Sequence, residues 1–213
     1  MAKTHIDPSV STERHGSVVN LNVDFAARTV YLFTGIDDEI AARVVSGIKI
    51  LDESPGGITI WLNTGGGSVS DGQAIFDAIQ MAENPITVIG TGQVASMGAL
   101  LLQAADQRLV TPLTRLMIHD GGAEISGPTR EVISSGKELE LSMKQHFEVF
   151  VQKTGLSLDE IEKISASGRW FSAEEALEKN LIDGIAVSKA VFDQSNKDKM
   201  VRSKRIPRKR TRK

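Results

Sequence analysis

Three observations predict an α/β fold built on a mostly parallel sheet. Short apolar runs of strand character recur at residues 30–33, 58–62, 86–89, 108–110 and 116–118. Segments with helical periodicity separate several of them. Glycine clusters, at Gly56-Gly57, Gly65-Gly66-Gly67 and residues 121–127, punctuate the connections. Strands alternating with helices favour helices packed on a parallel sheet. No internal repeat interrupts the pattern.

Residues 1–16 are polar, aperiodic and carry Pro8, so they read as a flexible arm before a single domain spanning residues 17–190. Val30-Tyr31-Leu32-Phe33 is the first clear strand. Asp37-Asp38-Glu39 opens a helix whose apolar face is Ile40, Val44, Ile48 and Leu51. The strand Ile58-Thr59-Ile60-Trp61-Leu62 runs into the triple glycine. A helix over residues 71–82 places Ile75 and Ile79 on one face, and Ile86-Thr87-Val88-Ile89 is the next strand. Short strands follow near residues 108–110 and 116–118. A long helix over residues 129–154 carries the stripe Val132, Gly136, Leu139, Met143, Phe147 and Phe150. A shorter helix covers residues 157–164. Ser172-Ala173-Glu174-Glu175 has capping-box spacing and starts a helix to about residue 179. Residues 181–185 read as a last strand.

The chain has 213 residues, of which 40% are hydrophobic, enough for one sizeable core. Cysteine is absent, which excludes disulfides, a thiolate nucleophile and cysteine metal sites. No apolar run approaches the roughly 18–20 residues of a membrane span. The N-terminus lacks a signal-peptide core, and the expectation is a cytoplasmic protein. The net charge of −2 hides an asymmetry: residues 197–213 hold ten Lys or Arg and one Asp, so the rest of the chain is acidic. We read residues 191–213 as a disordered, solvated basic tail. Its sharper alternative is contact with nucleic acid through phosphate charge.

Three elements can carry chemistry. Ser96 lies between an apolar strand and an apolar, helix-like run, with small residues around it. A hydroxyl there either caps the helix or attacks a carbonyl beside free backbone amides. The loop Gly65-Gly66-Gly67 follows a strand and can bring a backbone close to a ligand. It matches neither the phosphate loop nor the dinucleotide fingerprint. Of the four histidines, His5 and His15 lie in the arm and His146 lies in the long helix. Only His119 leaves an apolar strand directly, the strand end where α/β proteins place functional groups. Together these elements favour a Ser/His pair.

The order and spacing of four motifs resemble the proteolytic subunit family of the Clp protease. They are Asn63-Thr64-Gly65-Gly66-Gly67-Ser68-Val69, Gly92-Gln93-Val94-Ala95-Ser96-Met97-Gly98-Ala99, Arg115-Leu116-Met117-Ile118-His119, and Trp170-Phe171-Ser172-Ala173-Glu174-Glu175-Ala176 with Leu181-Ile182-Asp183. The resemblance implies a ClpP/crotonase-like spiral of βαβ units with a protruding long helix. It implies that Ser96 is the nucleophile and His119 the general base, with the N–H groups of Gly67 and Met97 as oxyanion hole. It implies a serine endopeptidase acting on unfolded polypeptide, without metal or organic cofactor. It also implies a homo-oligomer of stacked rings that works with an ATP-driven unfoldase.

The match fails at three places. Where the family carries the aspartate that orients the histidine, this chain has Gly168. Asp183 and Asp120 are candidate substitutes, beside Ser167, a backbone carbonyl or a water. Gly65 replaces a proline and Asp120 a glutamine. A weakly active or structural ring subunit and a virus head-maturation protease are therefore alternatives. A crotonase-type acyl-CoA enzyme would share the fold but leaves the Ser96–His119 pairing unexplained.

Overall fold

The computed structural model describes residues 21–122 and 125–187. The predicted arm, residues 1–16, and basic tail, residues 191–213, lie outside the described residues.

The sheet has eight strands among the described residues: β1 (Val23–Asp24), β2 (Thr29–Leu32), β3 (Ile58–Thr64), β4 (Ile86–Ala95), β5 (Gln107–Val110), β6 (Arg115–Ile118), β7 (Arg169–Phe171) and β8 (Gly184–Ile185). Its order is β1-β2-β3-β4-β5-β8, with β6 on β4 and β7 on β6. The pairs β2·β3, β3·β4, β4·β5, β4·β6 and β5·β8 are parallel, while β1·β2 and β6·β7 are antiparallel. The predicted mostly parallel α/β architecture is thus the observed one.

Six helices accompany it among the described residues: α1 (Asp38–Asp52), α2 (Val69–Met81), α3 (Met97–Ala104), α4 (Thr129–Thr154), α5 (Leu158–Ala166) and α6 (Ala173–Glu178). In α1 the Asp37 carboxylate caps the Ile40 N–H at 2.9 Å, and the predicted face Ile40, Val44, Ile48 and Leu51 is buried. In α2 the Ser68 hydroxyl caps the first turn, so the helix starts at Val69, before the expected residue 71. Both α5 and α6 open on complete capping boxes, at Ser157/Glu160 and Ser172/Glu175.

The strands fix the core. Along β3, Ile58, Ile60, Leu62 and Thr64 turn to the buried face, as a period of two requires. Ile86, Val88 and Val94 of β4 are buried with them, as are Ala99, Leu100, Leu101 and Leu102 of α3.

Three strands differ most from their expected extent. β4 continues past the apolar run, through Gly90, Thr91, Gly92 and Gln93, to Ala95. Its first half pairs with β5 (Thr87↔Gln107 to Gly90↔Val110) and its second half with β6 (Gln93↔Arg115 to Ala95↔Met117). The strand is forked, and its polar, glycine-containing middle masks it in sequence. β7 has no counterpart among the expected strands, because three residues carry too little pattern to register. The last strand shrinks to Gly184–Ile185, because Leu181 N–H turns back to Ala176 O at 2.9 Å.

The helix α4 has the expected bounds. In a single chain only its C-terminal end is covered: Phe150 and Thr154 are buried, Val132, Leu139, Met143 and Phe147 are partly exposed, and Gly136 is open.

Candidate functional site

Ser96 sits at the bend between β4 and α3 with φ 57° and ψ −122°. A positive φ is unfavourable for a residue with a Cβ, roughly 1–3 kcal/mol, and such outliers cluster at functional sites. The bend is held by the sheet, because Ser96 N–H donates to Met117 O at 2.9 Å. Although Ser96 occupies the N-cap position of α3, its side chain makes no capping bond. Its Oγ lies 2.8 Å from His119 Nε2 instead. Strand, strained serine and helix form a sharp strand-to-helix elbow, a geometry that can present a hydroxyl for attack.

His119 follows β6 without an intervening loop, and β6 pairs directly with the second half of β4. Serine and histidine therefore hang from neighbouring strands. The glycine loop closes the third side. A Cβ on Gly66 (φ 98°) would lie 2.7 Å from Ser96 Cβ and 3.1 Å from Met97 N. One on Gly67 (φ 149°) would lie 2.2 Å from Ile36 O. Both positions exclude any side chain. The loop is pinned by Ile36 N–H to Gly66 O and Ser68 N–H to Ile36 O, each 2.9 Å. Met97 N–H, the first amide of α3, has no intrahelical acceptor. The structure thus gathers Ser96, His119, Gly67 and Met97, four residues singled out from sequence. Gly66 joins them without a sequence signal of its own, since only its approach to Ser96 separates it from its glycine neighbours.

A cavity of about 140 Å³ opens beside the pair, walled by Val69, Leu100, Ile118, Met143, Phe147 and Phe150. His146 also borders it, and its Nε2 lies 3.2 Å from the Gln73 amide nitrogen. Burial pushes the His146 imidazole below its ordinary value.

Position 168, where the resemblance puts a carboxylate, carries glycine. Ile118 pairs with Arg169 in the antiparallel β6·β7 ladder, so His119 and Gly168 are the next residues beyond it on the two strands. A Cβ on Gly168 would lie 3.8 Å from His119 Cβ, which is ordinary contact. Asp183, a candidate substitute, is engaged elsewhere. Its Oδ1 meets Arg108 Nη2 at 2.6 Å, and its Oδ2 accepts Arg108 N–H at 2.8 Å and Nε–H at 3.2 Å. Burial raises the Asp183 carboxyl, but these Arg108 contacts outweigh it and hold the group below the usual range. Arg108 is buried and also donates to Gln103 Oε1 at 2.7 Å, so this carboxylate is a structural counter-ion. Asp120 is exposed, and its backbone N–H donates to Ser165 O at 3.1 Å. The Ser167 hydroxyl donates to Ile164 O at 2.8 Å.

Among the described residues, no cluster of three His, Asp or Glu side chains could hold a metal, and no helix is long and apolar enough to cross a membrane.

Comparison with known proteins identifies a family. The Clp protease family model matches residues 14–189. The ATP-dependent Clp protease proteolytic subunit 2 of Thermobifida fusca is 36% identical, over 74% of this chain and 80% of that protein. The subunit 2 proteins of Rhodococcus jostii and Pseudomonas aeruginosa are 35% and 33% identical, over 76% and 83% of this chain and 85% and 90% of their own lengths. The chain belongs to the Clp protease family.

Proposed function

We propose that this chain is a serine endopeptidase subunit that hydrolyses unfolded polypeptides through an acyl-enzyme on Ser96. The observation that carries the reading is the 2.8 Å contact between Ser96 Oγ and His119 Nε2, made by a serine that leaves its helix uncapped.

His119 Nε2 takes the Ser96 proton as Oγ attacks the scissile carbonyl. The carbonyl oxygen becomes an oxyanion, which Gly67 and Met97 N–H stabilise. Collapse breaks the C–N bond, and His119 returns the proton to the leaving amine. Water, activated by the same histidine, then releases the acyl group and regenerates Ser96. The apolar wall of the adjoining cavity suits an apolar side chain next to the scissile bond. An extended substrate adds as a strand beside the Gly65–Gly67 loop. The curated relatives are named as ATP-dependent proteolytic subunits. By that likeness the chain works in a homo-oligomer of stacked rings fed by an ATP-driven unfoldase. Gly168 favours a second reading, a ring subunit of low activity.

Labelling by a fluorophosphonate that is lost in Ser96→Ala supports the catalytic reading. Absence of labelling in the assembled wild type rejects it.

A further inference from the structure

The site leaves open what holds the His119 ring once position 168 has no side chain. A general base whose Nε2 accepts the serine proton carries its own proton on Nδ1, and that N–H needs an acceptor to fix ring and tautomer. Asp183 is committed to Arg108, and the Ser167 hydroxyl is turned to Ile164 O.

One hydroxyl nearby is uncommitted. Ser165, in the last turn of α5, is 1% exposed, and its Oγ is the buried side-chain polar atom without a hydrogen-bond partner among the described residues. Buried hydroxyls are nearly always bonded, so an orphan calls for an explanation. The backbone of Ser165 is tied to both sides of the gap. Its carbonyl accepts the N–H of Asp120, the residue after the base, at 3.1 Å, and the N–H of Gly168 at 2.9 Å. The orphan hydroxyl therefore belongs to the residue that clamps the base-bearing strand end to the glycine facing it.

We propose that Ser165 is the positioning residue of this site, its hydroxyl rotating to accept a hydrogen bond from Nδ1–H of His119 while Nε2 stays on Ser96 Oγ. The inference rests on the Ser96–His119 reading above. A hydroxyl orients the ring but brings no negative charge to stabilise the imidazolium. The chain would then keep the correct tautomer while losing the electrostatic part of the carboxylate's contribution.

The test is a double-mutant cycle in the full-length assembled protein. Ser165→Ala removes an unpaired buried hydroxyl, so folding should be unharmed, and melting curves check this. The expected result is a fall in kcat and in fluorophosphonate labelling rate of roughly tenfold, the value of one ordinary hydrogen bond, with KM unchanged. In the Gly168→Asp background, where a carboxylate takes over the Nδ1 proton, the same substitution should cost less than about twofold. Nitrogen NMR of labelled histidine should show the Nδ1–H tautomer of His119 in the wild type and a tautomer mixture in Ser165→Ala. An unchanged rate and tautomer in Ser165→Ala, or an equal loss in both backgrounds, overturns the proposal. If wild-type Ser96 does not label at all, the Ser96–His119 reading falls first, and the tautomer measurement still decides the role of Ser165.

Discussion

Replacing Gly168 by aspartate puts a carboxylate on the strand position that faces His119. The site has room, since the added Cβ lies 3.8 Å from His119 Cβ. The backbone there has φ 59°, a left-handed conformation that aspartate tolerates better than most residues, so the strain is about 1 kcal/mol. In a domain of this size that lowers Tm by roughly 2–4 °C. The gain should be larger. Neutralising the equivalent carboxylate in a chymotrypsin-type enzyme lowers kcat by roughly 10⁴. If a neutral hydrogen bond already supplies about tenfold of that, the carboxylate restores up to roughly 10³-fold, about 4 kcal/mol of barrier. Hydrolysis of a fluorogenic peptide by the assembled protein measures it, with the gain in kcat rather than KM. Gly168→Asn is the control, similar in shape and backbone tolerance but uncharged, and should gain less than about threefold. Equal rates for the Asp and Asn variants, both folded, would refute the electrostatic reasoning.

Gly66→Ala forces a Cβ to within 2.7 Å of Ser96 Cβ and should lower labelling of Ser96 by at least about 10²-fold. Its φ of 98° adds strain, so a melting curve should register about 2–3 kcal/mol of destabilisation. Asp183→Asn leaves the Arg108 guanidinium, whose side chain is 8% exposed, without its counter-charge. Because Asp183 itself is 40% exposed, the loss should be about 2 kcal/mol, below the roughly 3–5 of a fully buried pair. Its lowered folded pKa means this contribution is complete above the ordinary value of 3.8 and vanishes as pH falls through the folded value, so urea melts of wild type and variant should converge only below about pH 4. His146 has the opposite charge logic. Its folded pKa lies below 6.5, so the fold prefers the neutral ring and loses stability as pH drops below that value. His146→Gln should remove this part of the acid sensitivity in the same melts.

The sequence disclosed the elements whose pattern is carried by one segment. Ile40, Val44, Ile48 and Leu51 repeat at helical spacing, and the observed α1 buries all four. The helix openings at Asp37 and Ser172 follow side-chain rules that act within a single helical turn. What stayed hidden depends on contacts distant in sequence. The second half of β4 has polar and glycine residues, and only its pairing with β6 makes it a strand. Ser96 and His119 could be picked out by their places at strand ends, but their 2.8 Å contact depends on that pairing. Asp183 carries no local sign that it belongs to Arg108, 75 residues away. The importance of Gly66 lies in what touches it, which a run of three glycines does not reveal.

The fork in β4 has a thermal consequence. Neighbouring strands are about 4.8 Å apart wherever a ladder is intact. Because Ser96 ends one branch of β4 and His119 ends the strand beside it, their separation is a sheet dimension rather than a loop conformation. The Ser96 amide is itself bonded to Met117 O across this ladder, so hydrogen exchange at the serine should be as slow as exchange in the core strands. Fraying of outlying segments leaves the pair in register. On heating, loss of serine reactivity and loss of the sheet should therefore share one midpoint.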